Sequence, residues 1–103
     1  MAYKLIITAR AEALLEQCLY HILFQFKNEL AAKHLLDGIE KLYDRLEDNP
    51  FQFADCRDQF LKSKGYKEAV VTDMDYIIIF RIEFENVYIL GIFHQLENYK
   101  EKL

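Results

Sequence analysis

The sequence is poor in the residues that interrupt regular structure or form covalent frameworks. With one proline, three glycines and no tryptophan in 103 residues, it predicts helices and strands joined by short turns. Its two cysteines, Cys18 and Cys56, show no CxxC or CxxH spacing, which disfavours a zinc site and a disulfide framework. We therefore predict no metal and no other cofactor.

Long apolar runs and a signal-peptide pattern are missing too. The longest apolar stretches have the length of strands, and the start "MAYKLIIT" lacks a basic region followed by a long apolar one. We therefore expect a cytoplasmic chain with no membrane contact. No linker or repeat divides it, and 52% of the residues are hydrophobic, so we expect one domain over residues 1–103.

Positive charge is in short supply. The net charge is −4, whereas a protein that grips RNA or DNA usually presents a basic face. An acidic total makes nucleic-acid binding less expected, although a local basic patch remains compatible with it.

The first half of the chain has helical periodicity. A short strand, "YKLIIT" at 3–8, leads to Thr8 as a plausible N-cap. Apolar residues at three- and four-residue spacing then predict one helix from about 10 to 28 and another from about 29 to 47. "DNP" ends the second helix, because the residue before a proline leaves helical geometry. So short a link predicts an antiparallel helical hairpin.

The last third has the character of strands. Residues rich in β-branched and aromatic side chains predict strands at 66–71, 76–84 and 87–93, with a tight turn at Glu85 and Asn86. Residues 51–65 show no clear period and predict at most a short helical turn near 55–61. The fold class is therefore α+β, in the order β-α-α-β-β-β, with the helical hairpin packed on one face of an antiparallel sheet.

Alternation assigns faces to the strands. In the strand at 76–84 the set facing the helices is predicted to be Tyr76, Ile78, Phe80, Ile82 and Phe84. The set predicted to face outward, at least in part, is Ile77, Ile79, Arg81 and Glu83. The next strand alternates between two apolar sets, so parity leaves its inner face open: one set is Tyr88, Leu90, Ile92 and His94, and the other is Val87, Ile89, Gly91 and Phe93. Gly91 indicates a bulge or a close backbone approach, and an open apolar second face would need a cover such as a partner chain.

Three segments in this order resemble the RelE/ParE superfamily, the toxins of bacterial type II toxin–antitoxin pairs. They are "YKLIITARAEALLEQ", "GYKEAVV" and "DYIIIFRIEFENVYILGIFHQLENYKEKL". The resemblance implies the fold above and a small toxin held inactive by a cognate antitoxin. The assembly that it implies is a homodimer or a toxin–antitoxin hetero-oligomer. It also implies one of two targets: the ribosome with its mRNA, which RelE-like members cut, or DNA gyrase, which ParE-like members inhibit without nuclease activity.

The sequence departs from the nuclease pattern at several positions. Ile77 stands where RelE-like nucleases carry an arginine after the strand tyrosine, and Gly91 stands where many members carry an arginine in the last strand. The ending "HQLEN" lacks the basic residues that follow the histidine in the family. Cleavage of RNA needs cations that neutralise charge in the transition state, so these changes favour a ParE-like or catalytically weak toxin.

The candidate site residues are those that keep a basic or titratable group. His94 matches a terminal histidine that some mRNA-cleaving members use as general acid or base. Lys67 fills the basic position after "GY", and Arg81 fills that of the third strand. Lys62 and Lys64 could extend a nucleic-acid-binding strip with these two.

Each candidate also has a structural interpretation. His94 could be a strand-end residue, Arg81 a surface ion-pair partner, and the lysines solvated loop residues; Tyr99 is expected to pack back on the sheet. Three functions therefore remain open: a ParE-like toxin that binds its target, an mRNA endonuclease using His94, and an interaction module without toxicity.

Overall fold

In a computed structural model, which describes residues 3–95 together with Tyr99 and Leu103, the chain forms a four-stranded sheet covered by helices. The strands are β1 (Lys4–Ile7), β2 (Lys67–Val70), β3 (Tyr76–Glu83) and β4 (Asn86–His94). The helices are α1 (Ala9–Tyr20), α2 (Glu29–Asp48) and α3 (Gln59–Ser63). A π-helical turn (His21–Gln25) extends α1, and a 3-10 turn (Pro50–Gln52) follows α2.

The sheet has the order β1-β4-β3-β2 and is mixed. The β2–β3 and β3–β4 pairs are antiparallel, whereas β1 runs parallel to β4. The α+β class and the order of the predicted elements are confirmed. The expectation of a wholly antiparallel sheet is wrong at β1. The helical hairpin returns the chain to the starting end of β1, so β2 runs in the same direction as β1. After two reversals, β4 runs in that direction as well.

The helical hairpin forms where the apolar period placed it, with side-chain caps at both starts. The Thr8 hydroxyl accepts a hydrogen bond from the Ala11 amide at 3.1 Å, and the Asn28 side-chain oxygen Oδ1 accepts one from the Ala31 amide at 3.0 Å. The reversal between the helices uses Lys27 at a φ of 50°. None of the described helices is long and apolar enough to span a membrane.

The segment that lacked a period is ordered by capping residues. Asn49 caps the 3-10 turn by accepting from the Phe51 amide at 3.1 Å, and Asp58 caps α3 by accepting from the Leu61 amide at 3.1 Å. A short helical turn was predicted near 55–61, and α3 forms slightly later.

The turn between β3 and β4 lies one residue earlier than predicted. Glu83 pairs with Asn86, so Phe84 and Glu85 form the loop and Asn86 begins β4. The positive φ, 56°, falls on Phe84, an unusual position for an aromatic residue. Its side chain is 91% exposed, so Phe84 does not join the inner face to which alternation had assigned it.

A β-bulge changes the faces of β4. The register shifts between Ile79, which pairs with Gly91, and Phe80, which pairs with Ile89. Leu90 is the extra residue, so alternation reverses there. Neither predicted set of β4 therefore lies on a single face, and the bulge that Gly91 indicated is confirmed.

The face of the sheet toward α1 and α2 holds the larger apolar core, here called the hairpin-side core. The helices contribute buried residues at the predicted spacing, among them Leu35, Ile39, Leu42 and Leu46. The sheet contributes Ile78, Phe80, Val87, Ile89 and Ile92. Ile77 and Ile79, predicted to face outward at least in part, are fully buried on the opposite face. Segments of the same chain cover them.

Thr8 joins the start of α1 to the centre of the sheet. Besides capping the helix, its hydroxyl donates to the Ile89 carbonyl oxygen at 2.7 Å. Thr8→Ala should lower the free energy of unfolding by about 1–2 kcal/mol, because a cap and a half-buried hydrogen bond are both lost. Thr8→Ser keeps the hydroxyl and is the matched control in urea unfolding. Equal losses for the two variants would contradict this role.

Candidate functional site

His94 is the last residue of β4 and lies on the helical side of the sheet. It pairs across the ladder with Tyr76, and the two rings meet edge to face with centroids 5.4 Å apart. The side chain is half-buried and lines a cleft of about 620 Å³ together with His21, Ile22, Phe26, Asp73 and Asp75. His94 therefore stands against an aromatic ring at the mouth of a mixed apolar and acidic cleft.

Lys67 is held by oxygen atoms from the segment before α3. Its Nζ lies 3.0 Å from an Asp55 carboxylate oxygen and donates to the Phe53 carbonyl oxygen at 3.3 Å. Only 18% of the side chain is exposed. Lys67 thus ties β2 to the preceding loop, and its charge is already paired.

Arg81 lies on the face of the sheet opposite the helical hairpin. It pairs with Tyr88 across the ladder, and its guanidinium sits 4.1 Å from the centroid of that ring. Its Nη1 also lies 2.6 Å from a Glu83 carboxylate oxygen. The structural interpretation of Arg81 as a surface ion-pair partner is therefore correct in geometry.

Lys62 and Lys64 lie in and just after α3 and are exposed. The Lys64 ammonium is 4.7 Å from the centroid of Phe60 and 5.7 Å from that of Tyr66. Lys64 therefore lies over two aromatic rings, and Lys62 is exposed on the short helix.

The structure does not bring the candidate catalytic residues together. His94 and Arg81 face opposite sides of the sheet, so one phosphate group cannot contact both. Lys67 shares the helical side with His94, but its ladder partner Phe80 is four residues from Tyr76 along β3, roughly 13 Å at the rise of a strand. A catalytic role for these residues stays a prediction, and the geometry offers it no constellation. Among the described residues, no group of three His, Cys, Asp or Glu side chains could hold a metal ion.

The face opposite the hairpin carries, beside Arg81, a compact apolar group, here called the second-face cluster. Its buried members are Leu14, which reaches the cluster from α1, and Cys56, Leu61, Ile77, Ile79 and Phe93. Tyr66, Leu90, Tyr99 and Leu103 pack against it. The Tyr99 ring stacks on Phe93 with centroids 5.6 Å apart, so the expectation that Tyr99 packs back on the sheet is confirmed.

Sequence reasoning missed an ion pair beside this cluster, between the exposed Arg57 and the buried Glu68. Glu68, 9% exposed, accepts hydrogen bonds at 3.0 Å from both the backbone amide and the Nε of Arg57. The Arg57 Nη2 donates to the Gln95 side-chain oxygen at 3.3 Å. Burial, and then the Glu68 carboxylate, raise the pKa of the Cys56 thiol to about 12. Arg57 lies in the segment without a period, and nothing in the sequence indicated its partner.

Gly91 explains how the second face became apolar. A Cβ at this position would lie 2.5 Å from the Phe93 ring and 3.1 Å from the Leu14 side chain. The aromatic ring therefore fills the space that an arginine would need there. Ile77, at the other departure from the nuclease pattern, is buried in the same cluster. The third departure from the nuclease pattern, in the ending "HQLEN", includes residues 96–98, which lie outside the described residues.

Large apolar side chains are exposed where the helical hairpin reverses. Tyr20, Phe24, Phe26 and Leu30 are each more than 60% exposed. The rings of Tyr20 and Phe24 lie 4.7 Å apart. Exposed apolar groups gathered in this way are typical of protein interaction sites.

Comparison with known proteins decides the family. The sequence model described as "ParE toxin of type II toxin-antitoxin system, parDE" matches residues 5–99. The chain belongs to the ParE toxin family. It is thus a toxin of the type II toxin–antitoxin class within the ParE/RelE superfamily, as the resemblance indicated. A search of curated proteins gives no match.

Two solved structures share the fold. A chain from the chromosomal ParDE system of P. aeruginosa superposes with a TM-score of 0.72 at 19% identity, covering 90% of this ParE-family chain and 96% of its own. A chain of the toxin–antitoxin complex RelBE2 from Mycobacterium tuberculosis gives a TM-score of 0.63 at 21% identity, with 91% and 99% covered. At this identity the likeness concerns the fold alone.

The contact between Gly91 and Phe93 can be tested by filling it. Gly91→Ala should lower the free energy of unfolding by about 1–3 kcal/mol, because the added methyl group overpacks a fully buried ring. Phe93→Leu leaves a gap and destabilises as well. Since the smaller side chain makes room for the methyl group, the double variant should lose less than the sum of the two in urea unfolding. Strict additivity would show that the two sites do not share this space.

Proposed function

We propose that this ParE-family toxin acts in the cytoplasm by binding and inhibiting a protein target, such as DNA gyrase, and that a cognate antitoxin neutralises it. The observation that carries the proposal is the second-face cluster. A nuclease of this fold needs cations around the scissile phosphate. Here Ile77 and Phe93 place apolar groups at that position of the face, and Gly91 leaves room for the Phe93 ring.

The separation of the remaining basic residues supports the same conclusion. Arg81 and Lys67 are each engaged by a carboxylate of the same chain. Contacting a phosphate would first require breaking these pairs, and His94 faces the side of the sheet away from Arg81.

A binding function also accounts for the exposed apolar side chains at the hairpin reversal. Tyr20 and Phe24 offer aromatic surface of the kind that dominates protein–protein interfaces. An acidic chain with net charge −4 can bind a protein target without a basic face.

The deciding experiment is induction of the chain without antitoxin, with growth and the synthesis of DNA and protein followed in parallel. We expect growth to stop with filamentation and DNA damage. His94→Phe should remain toxic, because phenylalanine keeps a ring against Tyr76 while it removes the imidazole nitrogens that acid–base catalysis would need. His21→Phe, in the same cleft, is the matched control.

Two outcomes would contradict the proposal. A rapid stop of protein synthesis that His94→Phe relieves, while His21→Phe does not, would make His94 catalytic and the chain an mRNA endonuclease. Harmless accumulation of the folded wild-type chain would leave an interaction module without toxicity.

A further inference from the structure

The turn between β3 and β4 carries an aromatic side chain at a position that favours glycine. Of its two loop residues, Phe84 and Glu85, only the first has a positive φ, 56°. Two-residue hairpin turns with a positive φ at the first position prefer glycine there, because a Cβ atom is crowded in this backbone region. A phenylalanine at this position therefore strains the backbone.

Packing within the chain does not compensate for this strain. The Phe84 side chain is 91% exposed, more than any other large apolar side chain that the structure describes. It belongs to neither the hairpin-side core nor the second-face cluster, and its ring pairs with no other described ring. Folding alone gives no account of a phenylalanine here, and strain of this kind is typical of functional positions.

The turn is held by hydrogen bonds on both sides, so the ring stands on a fixed support. Glu83 pairs with Asn86 across the turn, and Lys4 of β1 pairs with Asn86 from the other side. The Lys4 amide also donates to the Glu85 carbonyl oxygen at 2.8 Å. A backbone that is already ordered loses little further freedom when its side chain enters a binding site.

Phe84 lies at the opposite end of the sheet from the exposed side chains of the hairpin reversal. β4 has nine residues, Asn86–His94, and so spans about 30 Å at the rise of a strand. His94 lines the same cleft as Phe26 of the reversal, whereas Phe84 comes just before Asn86. The Phe84 ring is therefore a separate contact site.

The shape and the charge of the turn indicate what it can bind. A protruding ring requires a concave receptor, and a pocket that encloses a ring is a feature of a folded protein and not of an extended segment. Glu83 is paired with Arg81 at 2.6 Å, but the exposed Glu85 carboxylate forms no ion pair with another described residue. A basic residue at the rim of the pocket would complement Glu85.

We propose that Phe84 anchors this toxin to its folded target protein by entering an apolar pocket that has a lysine or arginine at its rim. This inference rests on the proposed inhibition of a protein target, and it adds the residue that engages the target and the chemistry of the receiving pocket. A second copy of the chain is a poorer receptor, because Asp73 and Asp75 line its cleft and would repel Glu85.

The ring can be removed by changes that also relieve the backbone. Phe84→Gly should raise the midpoint of thermal unfolding by roughly 2–5 °C. It should also raise, by at least about tenfold, the toxin level that halves growth without antitoxin, because an aromatic anchor is lost. Phe84→Asn, which tolerates a positive φ, should lose toxicity as well. The matched control is Lys27→Gly, at the exposed residue with a φ of 50°, which should stabilise the chain and leave toxicity unchanged.

The basic rim has its own measurement. Glu85→Lys should raise the toxin level that halves growth by roughly three- to tenfold, because two like charges then meet at the pocket. Glu16→Lys changes the net charge equally on the exposed face of α1 and should alter that level by less than about twofold. Equal effects of the two charge reversals would overturn the basic rim.

Calorimetry with the antitoxin encoded beside this chain separates the two partners, and all the variants should bind it within about threefold of wild type. A folded Phe84→Gly chain that is as toxic as wild type would overturn the inference and leave the proposed function intact. This holds whether the ring then proves to bind the antitoxin, by a loss of affinity, or a second copy, by a loss of self-association. A wild-type chain that is harmless, or that stops protein synthesis by cutting mRNA, would overturn both.

Discussion

The close approach of the Phe93 ring to the backbone of Gly91 is the contact on which the rest of the sheet depends. The bulge at Leu90 turns Gly91 and Phe93 to the face opposite Val87 and Ile89, and a side chain at 91 would occupy the position of the ring. With the ring in place, β4 buries apolar residues on both faces. The strand is thus central in two cores as well as in the sheet order.

The second core has a chemical consequence. Around Gly91, the face that would have to hold a phosphate in a nuclease is packed with apolar side chains here, and Tyr99 stacks over Phe93 on it. The one carboxylate buried beside it, Glu68, is saturated by Arg57. Burying a charge is tolerated only with such pairing. Introducing one cation into this cluster would therefore be costly, so this surface is specialised for packing.

The sequence predicted the elements whose side chains repeat at a regular period. Both helices, all four strands and the Thr8 cap follow from local patterns, and the family resemblance followed from their order. What it could not predict depends on contacts between distant segments. The bulge at Leu90 places Phe93 in the second-face cluster. Alternation alone could not predict this, because both alternating sets of β4 are apolar. The Arg57–Glu68 pair joins a loop without a period to β2, and no local pattern encodes it.

The arrangement of the candidate site residues could not be predicted from local patterns either. His94, Arg81 and Lys67 are basic or titratable residues close to one another in the order of the elements, which suggested a shared site. Alternation and the bulge place His94 and Arg81 on opposite faces, and Asp55 and Glu83 neutralise Lys67 and Arg81 locally. Arg57, Lys67 and Arg81 are each paired with a carboxylate of the same chain, whereas no ion pair among the described residues involves a carboxylate of α2. Since long-range attraction depends on uncompensated charge, the negative charge of α2 disfavours contact with nucleic acid on this part of the described surface.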